Sequence, residues 1–193
     1  FRIRKTRSMK IFKEYFEDQE QRVETVALLP GGYKPPTKGH YNALKYLMQD
    51  ADRAVVFIGN KDRDGITAEQ SKRIWETYTK YFDKPVDIAV SEVSPVKSVY
   101  DFADENPELG IIVGAGAKDK DVERYKYFED NIENYPFVSV VKIPIQSGGV
   151  SGTESRKLIQ LYKNNLEEAL DYFVPEEVSI EDREAIEEIL RVN

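Results

Sequence analysis

The chain holds one histidine, His40, at the end of the stretch GGYKPPTKGH (31–40). Thr37 stands three residues before it, and on a helical turn positions three apart share a face. Gly31 and Gly32 let the main chain come close to a ligand. A threonine that opens a helix also sets free main-chain N–H groups and a positive helix end beside that face, which makes a seat for an anion. A glycine pair with two prolines also makes an ordinary turn, so this stretch alone fixes no chemistry. A second stretch, SGGVSGTESR (147–156), adds to it. Ser151 and Thr153 flank Gly152 and offer hydroxyls and amides at another helix start, and Arg156 lies three residues beyond Thr153. Two hydroxyls and a guanidinium form a clamp with the fork geometry that phosphate oxygens take. The apolar positions that follow, Leu158, Ile159, Leu161 and Tyr162, leave Arg156 off the packing face and free to turn toward a ligand.

Such loops need a frame. VETVALL (23–29), RAVVFIG (53–59), VDIAVSEV (86–93), GIIVG (110–114) and FVSVVKI (137–143) read as strands, most of them near-continuous apolar runs suited to burial on both faces. Helical patterns separate them. Thr37 caps one running to about Gln49, with Tyr41, Leu44, Leu47 and Met48 toward the sheet. TAEQ (67–70) is a capping box, Ser94–Pro95 a cap with proline at the first helical position, and KDVERYKYFEDN (120–131) and SGTESRKLIQLY (151–162) cover the later strands. This alternation predicts an α/β chain with one parallel five-stranded sheet, helices on both faces and extra N- and C-terminal helices. Residues 23–165 form the main domain, and 166–193 a C-terminal helical extension ending in SIEDREAIEEILRVN. Residues 1–22 form an arm or amphipathic helix with Ile11, Phe12, Tyr15 and Phe16 apolar; Met9 suits a natural start, with 1–8 an upstream remnant.

Composition narrows the partners. A net charge of −7 argues against a general nucleic-acid binder, which needs a basic footprint, but leaves room for a small anion held by local lysines and loop amides. There are no cysteines, which removes disulfides, thiolate metal sites and cysteine nucleophiles. No apolar run approaches the roughly 20 residues of a membrane helix, and the basic start FRIRKTRSMK lacks the apolar core of a signal peptide. A cytoplasmic location is the expectation, and self-association stays open.

Together the two stretches resemble the nucleotidyltransferase superfamily marked by an HxGH motif near the N-terminus and an ISSTxxR-like motif near the C-terminus. Tyr33 stands at that family's aromatic position and Pro35 at its proline. Thr37 takes the place of the first histidine, as in phosphopantetheine adenylyltransferase, while Lys34 replaces the usual aspartate or asparagine. The resemblance covers roughly residues 23–165 and implies a Rossmann-like fold. It further implies transfer of an NMP group from an NTP to a small, phosphorylated acceptor with release of pyrophosphate. On it, His40, Thr37 and Arg156 are catalytic, and Gly31, Gly32, Tyr33, Lys34, Gly39, Gly114, Gly116, Ser151, Gly152 and Thr153 bind the nucleotide. Lys61 and Arg73, in IGNKDRDGITAEQSKR, bind the acceptor. Mg²⁺ is implied as cofactor, held mainly by the NTP phosphates with no cluster of protein ligands. ATP is preferred to CTP, because similar cytidylyltransferases carry an arginine-bearing RTEGIST lead-in where this chain reads QSGGVSG. The alternative is a nucleotide-binding protein of the same fold, without turnover, in regulation or assembly. A class I aminoacyl-tRNA synthetase relative is disfavoured by the short chain and the missing KMSKS-like loop.

Overall fold

The computed structural model describes residues 23–144 and 149–192. The N-terminal arm, and Ser147 and Gly148 of the second stretch, lie outside the described residues. The fold is α/β and Rossmann-like, built on one parallel sheet. Its strands are β1 (Thr25–Gly31), β2 (Arg53–Ile58), β3 (Val86–Val90), β4 (Gly110–Ala115) and β5 (Val138–Lys142), in the order β3-β2-β1-β4-β5. Side chains alternate along each strand with the period of two that a pleated chain imposes. Ala27 and Leu29 of β1 join Ala54, Val56 and Ile58 of β2 in one core, while Val26 and Leu28 join Val55 and Phe57 in the other.

Helices cover both faces. On the first lie α1 (Lys38–Leu47) and α2 (Ala68–Thr79), and on the second α3 (Pro95–Glu105). All four residues expected to face the sheet from α1 are buried. The start of α2 is the reciprocal cap that its sequence announces: Gln70 N–H donates to Thr67 Oγ1 at 3.0 Å and Thr67 N–H to Gln70 Oε1 at 2.9 Å. Ser94 caps α3 by accepting from Lys97 N–H at 3.1 Å.

The region read as one helix over 120–131 is two short ones, α4 (Asp119–Glu123) and α5 (Lys126–Asp130). The chain leaves helical geometry at Tyr125 (φ −112°, ψ 11°), and the Tyr125 and Phe128 rings both enter the second core. Val122 of the first half packs partly buried against that core and Phe128 of the second is buried in it, so periodicity alone does not reveal the break. Beyond β5 come α6 (Gly152–Leu161), α7 (Leu166–Phe173) and α8 (Ile180–Arg191). The last two share the first core with the sheet through Leu170, Phe173, Ile186 and Ile189. Among the described residues no helix is long and apolar enough to cross a membrane.

Candidate functional site

The chain leaves β1 toward β2 on one side of the sheet and adds β4 on the other, so the strand order reverses between β1 and β4. Ligands of open α/β sheets gather in the crevice that such a reversal leaves beyond the strand C-termini. A cavity of about 500 Å³ lies there. It is lined by the ends of β1 and β4, by Ile143 and Pro144 after β5, and by the starts of α1 and α6. Among the expected residues it gathers Gly31, Gly32, Tyr33, Thr37, Gly39, His40, Gly114, Gly116 and Ser151. The two stretches touch, because a Cβ on Gly149 would stand 3.5 Å from both Cα and N of Gly39.

The first loop is built around His40. Thr37 caps α1 in extended geometry (φ −123°), and its N–H donates to His40 Nδ1 at 3.0 Å, with its Oγ1 3.1 Å from the same nitrogen. A ring nitrogen that accepts a main-chain N–H carries no proton, so the imidazole proton sits on Nε2. Burial lowers the His40 pKa from 6.5 to about 4, which keeps the ring neutral. Thr37 is 1% exposed, and its N–H and Oγ1 both meet the imidazole.

Tyr33 steadies the other side of the ring. It adopts φ 48°, a left-handed conformation that costs a non-glycine residue roughly 1–3 kcal/mol and concentrates at functional sites. That turn folds its ring back over Gly31, where a Cβ would lie 2.4 Å from Tyr33 Cζ. Its hydroxyl donates to Leu29 O at 3.1 Å. The ring meets His40 edge-on at 4.9 Å and Trp75 at 5.4 Å between centroids.

Lys34 has another task than the nucleotide contact expected of it. It is 2% exposed, is not among the cavity-lining residues, and donates from Nζ to Gly32 O at 2.8 Å and Gly59 O at 2.7 Å. It thereby ties the loop after β1 to the end of β2. Burial, with Arg63 adding to it and Asp62 opposing, lowers its pKa to about 8.

The second loop is internally engaged. Ser151 caps α6: Glu154 N–H donates to Ser151 Oγ at 3.2 Å and Ser151 N–H to Glu154 Oε2 at 2.7 Å. The latter bond comes first among the causes that lower the Glu154 pKa. A carboxylate thus already sits at the helix start read as a phosphate seat. Arg156, expected to be free, is held. Its Nη1 donates to Lys34 O at 2.7 Å and Gly152 O at 2.9 Å, its Nη2 to Thr153 Oγ1 at 3.2 Å, and its Nε to Asp64 Oδ2 at 2.5 Å. Gly152, Thr153 and Arg156 are not among the residues that line the cavity.

Lys61 and Arg73 are exposed and do not line the cavity. The structure adds Asp121, Arg124 and Tyr125, which line the β4 side. Arg124 Nη2 lies 3.7 Å from Asp121 Oδ1. A Cβ on Gly116 would fall 2.5 Å from Asp121 Oδ2, so glycine there makes room for that carboxylate. At Gly114 the constraint is packing, since a Cβ would meet Leu47 Cδ1 at 2.5 Å. Asp121 lies outside both glycine-bearing stretches, within KDVERYKYFEDN, where no spacing pairs it with them.

No family model matches the chain, and no curated protein matches it. Solved structures do. The chain is similar to the nicotinic acid mononucleotide adenylyltransferase of Plasmodium falciparum, complexed with APC, at 13% identity and a TM-score of 0.59, over 86% of this chain and 94% of that one. It is also similar to a bifunctional NMN adenylyltransferase/ADP ribose pyrophosphatase of Francisella tularensis, complexed with AMP and a manganese ion. There the identity is 18% and the TM-score 0.49, over 75% of this chain and 42% of the other. The chain shares the fold of the first of these, in keeping with the resemblance its two stretches carry.

Proposed function

We propose that the chain is a nucleotidyltransferase that moves an NMP group, AMP in preference to CMP, from an NTP to a small anionic acceptor and releases pyrophosphate. The observation that carries this reading is the neutral His40, fixed by Thr37 with its proton on Nε2, at a cavity bordered by two helix starts. An acceptor oxygen that is already an anion needs no base. It bonds to the α-phosphorus as the bond to the β-bridging oxygen breaks, and pyrophosphate leaves with that electron pair. Catalysis is then alignment plus donors aimed at the growing charge. His40 Nε2–H and the first-turn amides of α1 are such donors, and Gly31 and Gly32 keep the main chain near the phosphates.

Mg²⁺ belongs to this reading, where it would neutralise charge on the triphosphate. The carboxylates that line the cavity, Asp121 and Glu154, are hard oxygen donors of the kind Mg²⁺ takes singly beside phosphate oxygens and water. ATP is favoured by the missing arginine lead-in, and the P. falciparum enzyme of the same fold is named as an adenylyltransferase complexed with APC.

A second reading, a nucleotide-binding protein without turnover, draws on Arg156 and Ser151 being occupied by protein partners. Pyrophosphate release from an NTP and acceptor panel separates the two, after thermal-shift screening picks the nucleotide. Release by the wild type, reduced roughly 10²–10³-fold in His40→Ala with much smaller loss of nucleotide affinity, is the expected result. Tight NTP binding with no release on any acceptor establishes the second reading. Near-normal turnover in folded His40→Ala removes the assignment of His40.

A further inference from the structure

The cavity occupies the β1–β4 side of the Gly31–Gly32 turn; the β1–β2 side carries a different set of groups. There the segment Asp62–Arg63–Asp64–Gly65–Ile66 forms a two-residue hairpin. Arg63 N–H donates to Ile66 O at 3.0 Å and Ile66 N–H to Arg63 O at 2.9 Å, with Asp64 at φ 48° and Gly65 at φ 81°. Asp-Gly is the pair that such a turn favours. Ile66 is buried in the first core and anchors the hairpin.

The acids of this segment are both engaged. Asp62 Oδ1 accepts from Ala68 N–H at 3.2 Å, and Asp64 Oδ2 holds Arg156 Nε. Arg63 between them has no hydrogen-bond or ion-pair partner for its side chain among the described residues, and its guanidinium is turned to the glycine turn. A Cβ on Gly32 would lie 3.8 Å from Arg63 Cζ, 3.9 Å from Nη1 and 4.0 Å from Nη2. These near-equal distances lay the guanidinium broadside over Gly32, which leaves its in-plane N–H fork open. Beneath it sits the Lys34 ammonium on Gly32 O and Gly59 O. A fixed hairpin, a neighbouring buried cation and an unengaged fork across the turn from the cavity make an oxyanion seat.

We propose that Arg63, in place of Lys61 or Arg73, binds the oxyanion of the acceptor, a phosphate or a carboxylate, on the β2 side of the Gly31–Gly32 turn. This assignment rests on the nucleotidyl-transfer reading, because only a two-substrate reaction needs a second anion seat. Its chemistry follows from the fork, which pairs two N–H groups with two oxygens of either anion and is poorly replaced by an ammonium. Specificity for the acceptor then turns on this residue, while nucleotide affinity does not.

The test uses the full chain saturated with a non-hydrolysable ATP analogue, then titrated with inorganic phosphate or with acetate. The amide signal of Gly32 is followed by NMR in the wild type and in Arg63→Gln, Arg63→Lys and Lys61→Gln, and the Arg63 Nε–H signal in the wild type and Lys61→Gln. The expected result is a response of both signals in the wild type, to phosphate or to acetate, which names the anion. Arg63→Gln weakens it roughly ten- to hundredfold, the scale of a charge-assisted bond, and Arg63→Lys recovers only part. Analogue affinity stays within about twofold across the series. A wild type that responds to neither anion, an unchanged response in Arg63→Gln, or a loss that follows Lys61→Gln overturns the assignment and leaves nucleotide binding standing. Failure of the analogue to bind at all overturns the nucleotidyl-transfer reading and the acceptor seat with it.

Discussion

A histidine that accepts a main-chain N–H on Nδ1 has one nitrogen left to offer, and in this chain that nitrogen can only donate. Because His40 is the chain's single histidine, its ring signals are unambiguous. They should report the neutral form with the proton on Nε2 down to about pH 5, given a pKa near 4. A midpoint near the ordinary 6.5 would show that burial does not hold the ring neutral. Stability follows with a definite sign. As pH falls from about 6.5 toward about 4, the unfolded chain takes up the proton before the folded one does, so stability is lost across that window. Melting curves of His40→Asn should be flatter there than those of the wild type. The Thr37–His40 pairing was legible from its spacing alone. The partners of Lys34 and Arg156 were not, because most of them are main-chain carbonyls, which no side-chain pattern marks, and the remaining acid, Asp64, lies 92 positions from Arg156.

At the scale of elements, every strand was legible, most of them as near-continuous apolar runs, and the caps of α2 and α3 were legible because each rests on residues three or fewer apart. The break between α4 and α5 was hidden because its cause, the seating of Tyr125 against the far core, is tertiary. The helix α6 shows the same limit. Leu161, read as a packing position, is 73% exposed, while Arg156, read as free, has a side chain only 11% exposed. Arg156→Lys should therefore cost stability, because it removes bonds to Lys34 O, Gly152 O and Thr153 Oγ1 that an ammonium cannot all replace. Denaturant titration should show a loss of about 1–3 kcal/mol, accompanied by slower turnover. A variant as stable as the wild type would show that these bonds hold nothing in place.

The molecule as a whole keeps its site apart from its ballast. Helices α7 and α8 enter the first core, and the Gln70 side chain of α2 donates to Ile189 O at 2.8 Å and Val192 O at 2.9 Å. Phe173, fully buried, lies in that layer. Phe173→Ala should cost about 3–5 kcal/mol by denaturation while the affinity for an ATP analogue stays unchanged; a matching loss of affinity would mean that this layer shapes the cavity. The rim behaves differently. One guanidinium, that of Arg156, grips the loop after β1 at Lys34 O, the hairpin after β2 at Asp64 and the start of α6 at Gly152 O. Three loops on one fastener cannot be disturbed singly. On the proposed nucleotidyl-transfer reading, a nucleotide that takes Arg156 from Asp64 would loosen the hairpin after β2, and linkage would then make the factor by which either substrate alters the other's affinity the same in both directions.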